Sequence, residues 1–145
     1  VNTAFAGLAY TFFAIAMTTG RFTGHYLIRY FGEKKLLTYS AICATLGLAL
    51  VSIVPYWWLV LVGYTLVGTG CSNIVPIMFS RAGRQTVMPS AVALSCVSTM
   101  AYTGILVGPA FIGMVSELIG LSTVFMALSG LLLLIVALNR FTYVK

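Results

Sequence analysis

Acidic side chains are almost missing from this chain. Among 145 residues only Glu33 and Glu117 are acids, and between Lys35 and Glu117 the sole charges are Arg81 and Arg84. Charged residues make up 7% of the sequence and hydrophobic ones 61%, whereas soluble domains average about 25% charged. A soluble fold could not wet its surface with so few charges. A bilayer demands the shortage, because a charge at mid-membrane costs roughly 2.5–3.5 kcal/mol on insertion scales. Histidine occurs once, and Cys43, Cys71 and Cys96 lie far apart inside apolar runs. Such cysteines fit neither a disulfide framework nor a CxxC redox or metal site; they read as small buried hydrophobes. No nucleophile, base and orienting group occur together, so no enzymatic chemistry, cofactor or metal is expected. No basic segment precedes the first apolar run, so no signal peptide is expected. Val1 is not an initiator methionine, and the chain reads as a processed product or a fragment. A net charge of +6 could suggest nucleic acid, but the cations stand scattered at the ends of apolar runs. Nucleic-acid binding needs them gathered on one face with interleaved aromatics.

Five long apolar runs occupy the rest. Crossing the hydrocarbon core takes about 20 helical residues, and spans are expected at 4–27, 36–54, 59–80, 90–115 and 121–138. The expected fold is therefore all-α, a polytopic membrane helix bundle in direct contact with the lipid bilayer. Continuous runs of this length exclude a transmembrane β-barrel, whose strands alternate over about ten residues. Residues 29–35 should form a short loop and 81–89 a polar connection, with Pro89 opening the next helix. Pro55-Tyr56-Trp57-Trp58 should make an aromatic turn at the membrane–water interface, and a short turn is expected around 117–120.

The cations sort by side. Arg29, Lys34 and Lys35 fall in the first connection, Arg81 and Arg84 in the third, and Arg140 and Lys145 in the tail. With five spans these seven share one side, which the positive-inside rule makes cytoplasmic. The N-terminus is then outside and the C-terminus inside.

Residues 20–35, GRFTGHYLIRYFGEKK, close the first span and lead into the second. Gly20 and Gly24 stand four apart, which lets another helix approach closely. Arg21 and His25 are also four apart and share a helix face. The segment resembles the glycine-, arginine- and aspartate-containing signature of major facilitator superfamily transporters, in the form G-R-x-x-G-D-x-x-x-x-x-x-G followed by basic residues, as in bacterial sugar-porter-like members. Gly20, Arg21, Gly24, Arg29, Gly32, Lys34 and Lys35 match that pattern, and the resemblance implies that they form, together with His25, a cytoplasmic gate. His25 stands where the pattern usually has aspartate. For Arg21 two readings stay open: a gate contact with another half of the protein, or a side chain snorkelling to the headgroups. Glu33 is the one acid on its side of the membrane.

Two further segments are similar to the same superfamily. GILVGPAFIG at 104–113 looks like its eleventh helix: Gly104, Gly108 and Gly113 would thin the helix for packing, and Pro109 cannot donate to the Ile105 carbonyl, which kinks it. GTGCSNIVP at 68–76, with Pro76, fits the tenth. Gly68-x-Gly70 also opens like a dinucleotide fingerprint, but it lies mid-membrane without a preceding strand and is discarded. The resemblance covers the whole chain as helices eight to twelve, a partial C-terminal domain whose partner would be the missing N-terminal half. It implies alternating-access transport of a small polar solute across a bacterial inner membrane. A small membrane scaffold or assembly subunit is the alternative; a channel lacks any ring of charge or filter-like segment.

Polar side chains within spans usually face protein or water. Thr65, Thr69, Ser72, Asn73 and Pro76 follow helical spacing in the third span, Ser95, Ser98, Thr99 and Tyr102 in the fourth, and Tyr10, Thr11 and Thr18 lie in the first. Asn73, Thr69, Ser98, Tyr102 and Thr11 are the candidates for solute contact. Asn73 is the one amide deep within a span, with an interhelical hydrogen bond as its other reading; the hydroxyls can also bond back to their own helix.

Overall fold

A computed structural model describes residues 3–142. Lys145, counted above among the tail cations, lies outside the described residues. Six helices follow in order: α1 (Thr3–Phe31), α2 (Glu33–Ile53), α3 (Trp57–Ser72), α4 (Ile74–Arg84), α5 (Ser90–Ile119) and α6 (Leu121–Thr142). With α3 and α4 taken as one interrupted crossing, five helices among the described residues are long and apolar enough to span a membrane. No strand occurs among the described residues. The molecule is an all-α membrane bundle, as its apolar runs require.

The spans are longer than hydropathy suggested, and two expected connections shrink to one residue each. The loop expected at 29–35 is replaced by Gly32 alone; Arg29 stands in the last turn of α1 and Glu33 opens α2. The turn expected around 117–120 reduces to Gly120, with Glu117 inside α5. Gly32 has φ 80° and ψ 153°, and Gly120 φ 83° and ψ 147°, a region open essentially to glycine. Each closes the preceding helix through its N–H, to Ile28 O at 2.9 Å and Ser116 O at 2.9 Å. Each carbonyl then accepts from the next helix, from Leu36 N at 3.0 Å and Val124 N at 3.3 Å. Side-chain polarity misplaced these ends because a helix keeps its own hydrogen bonds as it leaves the hydrocarbon. For the same reason Arg81 and Arg84, expected in a connection, belong to the last turn of α4.

The third span, expected unbroken over 59–80, divides at Asn73. Pro76 has no N–H to give the Ser72 carbonyl, and the ladder resumes with Ile77 N on Asn73 O at 3.2 Å. Pro109 lies inside α5, which continues past it.

Lipid tails are as apolar as leucine, so close backbone approach decides which helices associate. The wedge at the centre is α3, packed against α1 on one side and α2 on the other, with α2 also against α6. Glycines line both of its contacts. A Cβ on Gly68 would stand 2.6 Å from Phe13 O of α1, and one on Gly70 would stand 2.5 Å from Ala44 N and 2.6 Å from Ser40 O of α2. Gly47 and Gly63 meet across the same α2–α3 contact, with Gly63 O 2.6 Å from a Cβ on Gly47. At one end Leu36, Leu37 and Ile77 form a buried cluster with Leu27, Ile28 and Ile74 against it. At the other, Trp57 and Trp58 stack with centroids 4.7 Å apart, and Phe5 meets Trp57 at 5.6 Å.

Candidate functional site

The break between α3 and α4 lies against the glycines of the α1 motif. Ser72 is fully buried with its side chain in the space a Cβ on Gly20 would need, and Asn73, 4% exposed, sets its amide oxygen against Gly24 in the same way. The two glycines of the motif thus receive the two polar residues that end α3. Ser72 Oγ donates to Thr69 O at 2.6 Å, which satisfies it within its own chain segment.

Arg21 and His25 turn away from this contact. Both are exposed, and Arg21 Nη2 lies 4.0 Å from Met17 Sδ. Glu33 is directed elsewhere: its carboxylate accepts from Arg84 Nη2 and stands 3.9 Å from Arg81 Nε. The motif's acid therefore ties the start of α2 to the end of α4. Arg29, Lys34 and Lys35 are exposed around that corner.

The five candidates for solute contact do not converge within this chain. Asn73 is buried; Thr69 is exposed and donates back to Thr65 O at 3.1 Å and Leu66 O at 3.0 Å. Thr11 donates to Gly7 O at 2.8 Å. Ser98 is half-buried and Tyr102 exposed on α5. A cleft of about 890 Å³ opens between α1, α2, α3 and α6, but Phe5, Phe13, Trp57, Tyr64, Val67 and Phe125 make its wall largely apolar, and none of the five lines it. Gly104, Gly108 and Gly113 would find nothing within 4 Å of a Cβ. The whole of α5 has Ala93 as its single buried residue. Cys43, Cys71 and Cys96 are free thiols, the first two half-buried and Cys96 exposed. Among the described residues no three of His, Cys, Asp and Glu gather in a metal-binding arrangement.

Sequence reasoning missed Gly47, Gly63 and Gly70 as contact residues. Gly63 and Gly70 are seven apart, two turns on one face, which is the signal that could have found them.

An integral membrane bundle wedged by glycines, with a basic corner at one end and an uncovered apolar helix that carries hydroxyl side chains, defines the class. The chain matches the Major Facilitator Superfamily model over residues 1–144. It is 41% identical over 135 residues to an uncharacterised MFS-type transporter of Yersinia pestis, covering 93% of this chain and 35% of that protein. It is 35% identical over 114 residues to membrane protein MosC of Rhizobium meliloti, covering 79% of this chain and 28% of the relative. An uncharacterised transporter of Sinorhizobium fredii is 31% identical over 112 residues, covering 77% and 30%. No solved structure matches. The chain belongs to the Major Facilitator Superfamily. It spans about a third of the length of the curated relatives it matches.

Proposed function

We propose that this chain is the larger part of the C-terminal half of a secondary transporter, moving a small polar solute by alternating access across a bacterial inner membrane. The family match over residues 1–144 carries the reading. Its internal architecture supports it. The α1–Gly32–α2 pair has helices of 29 and 21 residues, and the α5–Gly120–α6 pair has helices of 30 and 22. By span parity the two pairs run in opposite senses across the bilayer, and each turns on a glycine of nearly the same φ and ψ. Halves of this superfamily are built from such inverted three-helix repeats. In that frame α3–α4 leads the second pair, and an equivalent helix would lead the first.

The uncovered polar face supplies the rest. Thr11 and Thr18 of α1 and Ser95, Thr99 and Tyr102 of α5 are exposed, and polar groups at membrane depth face protein or water. The N-terminal half would cover them, with the solute between the halves near the midplane; Asn73 and Ser98 would lie behind this face and Thr69 beside it. Arg21 and His25 would meet that half at the cytoplasmic gate. The likeness to sugar porters rests on residues 20–35 alone. The arginine experiment uses the full-length protein: Arg21→Ala should shift the inward–outward equilibrium and lower transport while leaving insertion intact. Unchanged kinetics at normal expression would reduce Arg21 to a headgroup anchor.

A further inference from the structure

The corner where α1 and α4 end and α2 begins carries a charge imbalance apart from Arg21 and His25. A shallow groove of about 330 Å³ is lined by Glu33, Lys34, Arg81, Arg84 and Gln85. Three cations face one carboxylate there. Glu33 is engaged by both arginines, yet the Arg84 side chain remains 64% exposed. Arg29 and Lys35 stand exposed on the adjoining turns, so a second anion would enter a field that one glutamate does not cancel.

The neighbouring connection gives the groove a second property. The Gln85 side chain folds residues 85–88 on themselves: Oε1 accepts from Val87 N at 2.8 Å and Met88 N at 3.0 Å, and Nε2 donates to Met88 O at 2.6 Å. That fold holds Val87 at 90% and Met88 at 44% exposure beside the cations. Two displayed apolar side chains next to a cluster of cations match the layering of a bilayer surface. In a connection lying in the headgroup layer, such side chains reach the acyl region while the cations stay at phosphate depth.

We propose that this groove is a binding site for the phosphodiester headgroup of an anionic phospholipid. Arg84 and Lys34 contact the phosphate, Arg81 holds Glu33 aside, and Val87 and Met88 lie along the first methylenes of an acyl chain. The lipid bridges the start of α2 to the end of α4, the same two elements that Glu33 joins. Glu33 competes with the phosphate for Arg84.

The test uses the full-length protein in neutral detergent, with retained phosphatidylglycerol, phosphatidylcholine and inorganic phosphate read by native mass spectrometry. Phosphatidylglycerol should be retained in preference to phosphatidylcholine. Arg84→Gln should weaken its retention about fivefold, the effect of one surface cation, and paired Val87→Ser and Met88→Ser should weaken lipid retention too. Glu33→Gln should strengthen it, an effect opposite in sign to a folding defect. Equal retention of phosphatidylcholine, an unaffected Arg84→Gln, or weaker retention in Glu33→Gln would each overturn the proposal. Displacement of the lipid by equimolar inorganic phosphate would overturn it in favour of a soluble anion.

Discussion

Replacing Gly70 by alanine tests the glycine wedge at a point where backbone of the facing helix crowds it. The added Cβ would lie 2.5 Å from Ala44 N, 2.6 Å from Ser40 O and 2.8 Å from Ala44 Cβ. Two of these three atoms are backbone, so no rotamer change relieves the overlap. Restoring ordinary contact distances requires α2 and α3 to part by roughly 1 Å, a gap that forfeits a quarter to a half of each affected dispersion contact. Overpacking of this kind costs about 1–3 kcal/mol. With two backbone atoms overlapped the cost falls in the upper part of that range, about 2–3 kcal/mol; alanine returns about 1 kcal/mol through its better helix propensity, which leaves a net loss of about 1–2 kcal/mol. The same change at Gly130 of α6, where nothing lies within 4 Å, incurs no overlap and should be neutral or slightly stabilising. The assay is unfolding of the purified chain by titrated denaturing detergent, followed by the fluorescence of Trp57 and Trp58. Gly70→Ala should shift the midpoint down and Gly130→Ala should not. A Gly70→Ala variant as stable as the parent would refute the close packing of α3 on α2.

Gly32→Ala and Gly120→Ala should each destabilise by about 1–3 kcal/mol, because both glycines occupy a backbone region closed to L side chains; the same unfolding titration reads the loss, and an unchanged midpoint contradicts the one-residue turns. Orientation is testable by membrane-impermeant thiol labelling in a cysteine-free background. A cysteine at Tyr56 should react from outside and one at Lys34 should not, and the reverse pattern would invert the assignment of cations to the cytoplasm.

The spans were legible because charge is excluded from hydrocarbon, so Arg81–Arg84 and the Gly32 region announce themselves as ends. Their exact limits were not. Arg29 and Glu117 look like loop residues, yet a helix loses nothing by carrying a charge once outside the core, and only the φ of Gly32 and Gly120 fixes the turns. Gly20 and Gly24 pointed to a close helix approach, but which residues they receive depends on Ser72 and Asn73, fifty positions away. The break at Asn73 was half visible through Pro76. Glu33 stands out in the sequence only as the one acid on its side of the membrane; its pairing with Arg81 and Arg84 follows from α4 ending beside α2, a tertiary fact. Asn73 reads as a candidate for solute contact from its depth alone; in this chain it is buried against Gly24.

The central claim is that transport needs a partner half that covers α1 and α5. The direct measurement is uptake of a panel of radiolabelled small polar solutes into vesicles containing either the full-length protein or this chain alone. Saturable, solute-selective uptake should occur with the full-length protein and be absent with the chain by itself. Saturable uptake through the 145-residue chain alone would contradict the account.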